Sequence, residues 1–259
     1  MIEEDKKKIA LALIDTFIEA GKVSIELRKA GLKKEIKEDG TAVTNGDLEV
    51  NKILIKKISL LTPNIPIISE ETSDNKDVID LKNFWLIDPI DGTNDYINNR
   101  EEFTLNAALI INRKPALGII NAPDKNRLFY SYAKTKCFEL SNNIKINLLN
   151  IKRKDYKTIR AITYSNDLDS KISKFHEELK VTDYKKMKSS LKFCVVASGE
   201  FDLYVAEARA CEWDIAAGHA IIEHSGGTVK DFDGNEILYG KPDFRNTSLI
   251  VKGSTFYNG

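Results

Sequence analysis

The stretch Trp85-Leu86-Ile87-Asp88-Pro89-Ile90-Asp91-Gly92-Thr93 constrains this chain more than any other. The apolar run from Phe84 to Ile87 has the character of a buried strand. It then meets a proline that has no N–H for a β-ladder and a glycine that favours a turn, so the strand is predicted to stop at Ile87 with Asp88 and Asp91 at its end. Two carboxylates three residues apart, with the Ile90 carbonyl between them, make an oxygen-rich cluster suited to a hard divalent cation. The N–H groups that follow Gly92 suit a phosphate. The pattern points to a magnesium-dependent phosphatase, provided that more acids converge there, because such chemistry needs metal ions that bridge the phosphate and lower the pKa of a bound water.

A chain of 259 residues, 42% of them hydrophobic, can bury such a strand in a substantial core, as one large domain or two halves. Lys+Arg and Asp+Glu both number 39, so the overall field gives no reason to expect a nucleic acid polymer or a membrane surface as partner. Cys137, Cys194 and Cys211 are odd in number and scattered, which fits neither a disulfide framework nor a zinc pattern and suits a reducing cytosol. The first residues, Met1-Ile2-Glu3-Glu4-Asp5, lack the apolar core of a signal peptide, and no transmembrane segment is expected. A cytoplasmic location follows, with peripheral association with the inner membrane and a homodimer both left open.

Taken in order, Ile9, Leu13, Phe17, Ala20 and Leu27 fall at helical spacing, with Gly31 as the stop. A turn at Asp39-Gly40 between short extended pieces precedes a second amphipathic helix, marked by Val50, Ile53, Leu54, Ile58 and Leu61 and ended by Pro63. Asp47 lies in its first turn, where the helix dipole alone accounts for a carboxylate. Ile65 to Ile68 reads as a strand running into Glu70 and Glu71. From Leu105 to Leu140 the pattern is an antiparallel meander, and the polar run from Asn142 to Lys157 is the expected joint between halves.

The second half alternates element types. Strands are expected at Thr158 to Thr163, near Val181, at Phe201 to Val205, Thr228 to Lys230, Glu236 to Tyr239 and Ser248 to Val251. Helices are expected around Leu168 to Leu179, Ser190 to Ala197 and Trp213 to His224, the last carrying Asp214 and ending at Gly226-Gly227. His176, His219 and His224 look structural and not like catalytic bases.

Asp88-Pro89-Ile90-Asp91-Gly92-Thr93 and Trp213-Asp214 followed by Ala216-Ala217-Gly218 resemble the two hallmark motifs of the inositol monophosphatase superfamily of lithium-sensitive, magnesium-dependent phosphatases. Glu70-Glu71 and Thr44-Asn45-Gly46-Asp47 resemble two further motifs of that superfamily. The resemblance implies an α+β chain with the layered α-β-α-β-α sugar-phosphatase fold. An antiparallel sheet would lie in an α+β half at 1–145 and an α/β half at 146–259 would complete the site, the two subdomains forming one catalytic unit over residues 1–259.

By the same resemblance, Glu70, Asp88, Asp91, Asp214 and the Ile90 carbonyl would ligate two or three Mg²⁺ ions. Glu70 and Thr93 would orient a metal-activated water for in-line attack, with Asp47 holding the Thr93 hydroxyl. The amides of Gly92 and Thr93 would hold the phosphate. The haloacid dehalogenase pattern, Asp-x-Asp-Gly-Thr, is excluded by spacing, since the aspartates here are three apart.

Within the superfamily, Ser189-Ser190-Leu191-Lys192-Phe193-Cys194, Trp213 to Ala220 and Tyr239 to Asn246 look most like bacterial 3′(2′),5′-bisphosphate nucleotidases. That resemblance implies a small phosphorylated substrate, adenosine 3′,5′-bisphosphate, which loses its 3′-phosphate to give AMP. Ser189 and Lys192 resemble nucleotide contacts, Asp214 would by the same resemblance face substrate as well as metal, and Glu207 resembles a hydroxyl acceptor of the inositol enzymes. Lys241 and Arg245 are available to a distal phosphate or to pinning the C-terminal strands. Thr163-Tyr164-Ser165-Asn166 stands where many bisphosphate nucleotidases carry Ser-Arg-Ser-His. Inositol or another sugar monophosphate is the alternative substrate, and a catalytically silent binding or regulatory homologue is the alternative from a different class.

Overall fold

A computed structural model describes residues 1–37, 40–72, 81–142, 144–151 and 158–257. Asp39 of the expected turn and residues 152–157 of the expected joint lie outside the described residues. Helix α1 (Glu3–Ala30) opens the chain, buries Ile9, Leu13, Phe17 and Ala20, and is capped by Gly31 at φ 102°. The hairpin β1 (Lys34–Ile36) and β2 (Ala42–Thr44) leads into α2 (Asn45–Leu61). Next come β3 (Ile67–Ser69), β4 (Phe84–Asp91), the short α3 (Thr93–Ile97), β5 (Thr104–Ile111), β6 (Lys114–Ala122), β7 (Arg127–Ala133), β8 (Lys136–Ser141) and β9 (Ile144–Asn147). The remainder is β10 (Ile159–Thr163), α4 (Ser170–Glu178), β11 (Val181–Lys186), α5 (Leu191–Ala197), β12 (Leu203–Ala206), α6 (Glu212–His224), β13 (Thr228–Lys230) and β14 (Leu249–Lys252).

Among the described residues, β3 to β9 form one sheet in sequence order, antiparallel except for the parallel β3–β4 pair. The second sheet has the order β11-β10-β12-β14-β13, with β10 parallel to both neighbours and β14 antiparallel to both of its own. Strand β4 shows why its apolar run is continuous. Trp85 and Ile87 face α1 and α2, whereas Phe84 and Leu86 face α5 and α6, so both faces of the strand are buried. The far side of α5 and α6 meets the second sheet through Tyr204 and Val251, and α4 covers that sheet's outer face through Ile172. The layers therefore run α-β-α-β-α.

The structure corrects four sequence readings. Strand β4 does not stop at Ile87. Asp88 pairs with Asn106 and Asp91 with Thr104, so Pro89 and Ile90 together oppose Leu105 in a bulge, where a missing N–H costs no ladder bond. Gly92 is followed by α3, which the sequence reading did not anticipate. The expected joint begins with β9, which extends the meander against β8. Residues Glu236 to Tyr239 make only an isolated bridge, Glu236 to Lys230, and no strand. Their segment turns away, with the Tyr239 amide donating to the Arg113 carbonyl and the Gly240 and Lys241 amides donating to the Glu212 carboxylate.

Candidate active site

Four chain segments bring acids together. The Glu70 amide donates to the Ile87 carbonyl at 3.1 Å, which sets Glu70 just past β3 and beside the end of β4. Asp88 and Asp91 flank the β4 bulge. Asp214 lies in the first turn of α6, where its Oδ2 accepts the Cys211 N–H at 2.7 Å. Helix α6 can sit this low because Gly218 has no side chain: a Cβ there would come within 2.2 Å of the Phe193 ring. Carboxylate oxygens of Glu70, Asp88 and Asp214 consequently lie within 4.8 Å of one another.

Asp91 is tied to this group by a residue to which the sequence reading gave no role. Ser190 Oγ lies 2.7 Å from Asp91 Oδ2 and 2.5 Å from the Asp214 carbonyl oxygen, and it accepts from Asn106 Nδ2 at 3.0 Å. Ser190 was visible inside the Ser189 to Cys194 motif, but nothing in the sequence separates its role from that of Ser189. Lys37, from the hairpin, was also missed. Its Nζ is 2.8 Å from Glu71 and 3.7 Å from Glu70.

Burial and mutual repulsion raise the pKa values of Glu70, Asp88 and Asp214. Burial, reinforced by Asp214, pushes Glu70 up to about 8. Burial, reinforced by Asp91, pushes Asp214 up to about 7. Asp88 is fully buried and is raised well above the usual carboxylate range by burial first and then by Glu70, Asp91 and Asp214. Among the described residues its Oδ1 has no hydrogen-bond partner, an uncommon and costly state for a buried oxygen. Hard oxygen donors, an orphaned carboxylate oxygen and no His or Cys in the cluster together fit Mg²⁺.

Asp47 and Thr93 meet in the structure. Thr93 Oγ1 is 3.2 Å from Asp47 Oδ1 and 3.0 Å from the Ile90 carbonyl oxygen. Asp47 is buried and also accepts from Thr44, through its hydroxyl at 2.6 Å and its amide at 2.9 Å; burial raises its pKa and these bonds oppose that rise. Gly92 precedes α3 at φ 92°, a conformation that glycine adopts without a steric penalty, and a Cβ there would stand 3.0 Å from the Glu102 carbonyl oxygen. The first N–H groups of a helix have no partner within it, which leaves the amides of Thr93 and Asn94 without one inside α3.

A cavity of about 270 Å³ opens next to Asp91, Gly92 and Asp214. Ser189, Lys192 and Glu207 line it, and so do Lys188, Arg209 and Tyr164, which the sequence alone does not single out as site residues. Glu207 is 3.3 Å from Lys171. Lys192 packs 5.5 Å from the Tyr204 ring and donates to the carbonyls of Ser189, at 2.6 Å, and Lys188. Burial lowers its pKa against the pull of Asp91 and Asp214. Arg209 lies over Tyr164, with Cζ 3.9 Å from the ring centroid. Lys241 and Arg245 do not line this cavity. Lys241 Nζ pairs with the buried Glu212 at 2.7 Å, and Arg245 bridges to Cys211, so both pin the C-terminal segments. The histidines are also absent from the cavity. His219 Nδ1 is 2.9 Å from the Tyr239 hydroxyl, and burial takes His224 down to about 4.

The chain resembles known proteins over most of its length. A model of the inositol monophosphatase family matches residues 5–256. The 3′(2′),5′-bisphosphate nucleotidase CysQ of Buchnera aphidicola is 35% identical over 206 residues, 78% of this chain and 76% of that protein. The enzyme of the same name from Haemophilus influenzae is 30% identical over 232 residues, 86% of this chain and 85% of its own. Among solved structures, CysQ from Bacteroides thetaiotaomicron superposes with a TM-score of 0.76 at 27% identity, covering 95% of this chain and 97% of that one. An IMPase/NADP phosphatase solved with Mg²⁺ and phosphate reaches a TM-score of 0.79 at 17% identity, over 96% and 92% of the two chains, a likeness of fold. With the family motifs folded together at one buried acidic centre and the family's model spanning nearly all its residues, the chain belongs to the inositol monophosphatase family of magnesium-dependent phosphatases.

Proposed function

We propose that this enzyme hydrolyses the 3′-phosphate of adenosine 3′,5′-bisphosphate to give AMP and phosphate. The observation that carries this reading is the juxtaposition of an acid cluster, Glu70, Asp88, Asp91 and Asp214, with a cavity whose wall holds Lys188, Lys192 and Arg209. Acids alone suit metals and any phosphate monoester. The added cations suit a substrate with a second phosphate, whereas an inositol monophosphate would leave Arg209 unmatched. The names carried by the Buchnera and Haemophilus relatives support the same substrate.

Glu70, Asp88, Asp91, Asp214 and the Ile90 carbonyl would hold two or three Mg²⁺ ions. Bound there, Mg²⁺ supplies neutralisation of phosphate charge and eases ionisation of water at neutral pH. The chain's own groups do the rest. The amides of Gly92 and Thr93 hold phosphate oxygens. Glu70 and the Thr93 hydroxyl, fixed by Asp47, orient the attacking water in line with the ester bond. Ser189 and Lys192 face the nucleotide, and Glu207 accepts from a ribose hydroxyl. The halves 1–145 and 146–259 act as one catalytic unit, because Asp88 and Asp91 come from the first and Asp214 and Ser190 from the second.

The test is phosphate release from adenosine 3′,5′-bisphosphate and from inositol 1-phosphate with Mg²⁺ present. A clear preference for the inositol ester overturns the substrate. No turnover of either, with no Mg²⁺ binding by calorimetry, favours a silent binding homologue.

A further inference from the structure

The cations around the cavity are not equivalent. Lys192 already spends its ammonium on the carbonyls of Lys188 and Ser189. Arg209 has no hydrogen bond or ion pair among the described residues. The acid two positions before it, Glu207, is 3.3 Å from Lys171 and so does not compete for it. What Arg209 does have is a shelf. Its guanidinium carbon lies 3.9 Å from the centroid of the Tyr164 ring, and Tyr164 itself follows directly on β10 in the cavity wall.

A guanidinium stacked on a ring is fixed in plane while its N–H edges stay free, the geometry that binds a phosphate through two parallel hydrogen bonds. Asp91 and Asp214 line the same cavity as Arg209, so a molecule whose reacting phosphate lies at the acids shares that space with the guanidinium. We propose that Arg209, held on Tyr164, recognises a second phosphate on the leaving group and thereby sets the preference for a nucleoside bisphosphate over a nucleoside monophosphate. The inference rests on the function proposed above. Arg209 is the specificity-determining group and Tyr164 a positioning residue that acts through it.

The experiment compares kcat/KM for adenosine 3′,5′-bisphosphate and adenosine 3′-monophosphate in the Mg²⁺-loaded enzyme, with calorimetric binding of 5′-AMP as a readout that needs no turnover. Arg209→Ala is expected to lower the bisphosphate-to-monophosphate ratio by about 10-fold or more and to weaken 5′-AMP binding by a similar factor, the scale of a lost charge-assisted pair. Tyr164→Leu should move both in the same direction by a smaller factor, and Tyr164→Phe, which keeps the ring, should preserve both. Arg209 is exposed, so its replacement leaves the core untouched. A wild-type enzyme that prefers the bisphosphate, with ratio and 5′-AMP affinity unchanged in Arg209→Ala, overturns this inference alone. A wild-type enzyme that hydrolyses neither nucleotide overturns the proposed function and this inference with it.

Discussion

Ser190 Oγ stands 2.7 Å from Asp91 Oδ2 and 2.5 Å from the carbonyl oxygen of Asp214, so one hydroxyl just before α5 links an acid on β4 to the first turn of α6. Removing it takes away the donor that Asp91 has at this oxygen among the described residues, while the packing around it hardly changes. Ser190→Ala is expected to weaken Mg²⁺ binding by about 10- to 100-fold, the usual cost of losing a group that orients a metal ligand. Calorimetric titration with Mg²⁺ measures this, and circular dichroism should show an intact fold. Unchanged affinity would remove Ser190 from the site.

The protons held by the cluster give a pH dependence whose sign is fixed. Burial and the neighbouring acids raise Glu70 from 4.5 to about 8 and Asp214 from 3.8 to about 7. The folded, metal-free chain therefore binds more protons than the unfolded one. This contribution to stability is fully present below the unfolded values and is lost as pH rises through the folded ones. Mg²⁺ must displace those protons, so its affinity should rise with pH up to about 8, with proton release on binding. Thermal melts with and without Mg²⁺ across this range should show the largest Mg²⁺ stabilisation at the alkaline end. Equal stabilisation at acid and alkaline pH would contradict the assignment.

Asp91→Asn should nearly abolish turnover and leave the circular dichroism spectrum unchanged. A neutral amide keeps the shape of the side chain and removes the charge that a divalent cation needs. Near-normal activity in this variant would take Asp91 out of the proposed metal site.

Asp47→Asn tests the contact between Asp47 and Thr93, 3.2 Å apart. An amide can turn its NH₂ toward Thr93 and so misdirect the hydroxyl. The expected result is a kcat lower by about 10-fold or more with KM changed by less than about 2-fold, the pattern of an interaction that matters in the transition state. A change confined to KM would argue for a structural role at the start of α2.

Gly218→Ala separates helix propensity from packing. Propensity alone predicts a gain of about 1 kcal/mol for alanine in a helix interior. A Cβ at this position, however, would lie 2.2 Å from Phe193. Overpacking of this kind costs about 1–3 kcal/mol, so a lower Tm is expected, by about 2–4 °C per kcal/mol for a chain of this size. A raised Tm would show that Phe193 moves aside freely and that the approach of α6 does not depend on glycine.

Much of the architecture was legible in the residues because its signals are local. The helical spacing of Ile9, Leu13 and Phe17, the unbroken apolar run of β4 and the alternating strands of the meander each follow from how a segment buries its own side chains. Pro89 and Glu236 show the limit of that logic. Pro89 has the character of a strand breaker, yet the facing strand accommodates it in a bulge. Glu236 to Tyr239 had a strand's composition, yet its amides find Arg113 and Glu212 across the fold.

For the site the division is sharper. The residues alone carry the types that suit the chemistry: acids at Asp88 and Asp91, a further acid at Asp214, and a glycine whose backbone could turn toward phosphate. That Glu70, Asp88 and Asp214 share one buried space, that Ser190 and not Ser189 contacts Asp91, and that Arg209 rests on Tyr164 is visible in the folded chain and nowhere else. Residue spacing carries the chemistry of a segment, but contacts between segments far apart in the chain depend on how sheets and helices pack, and that is settled by the whole core at once.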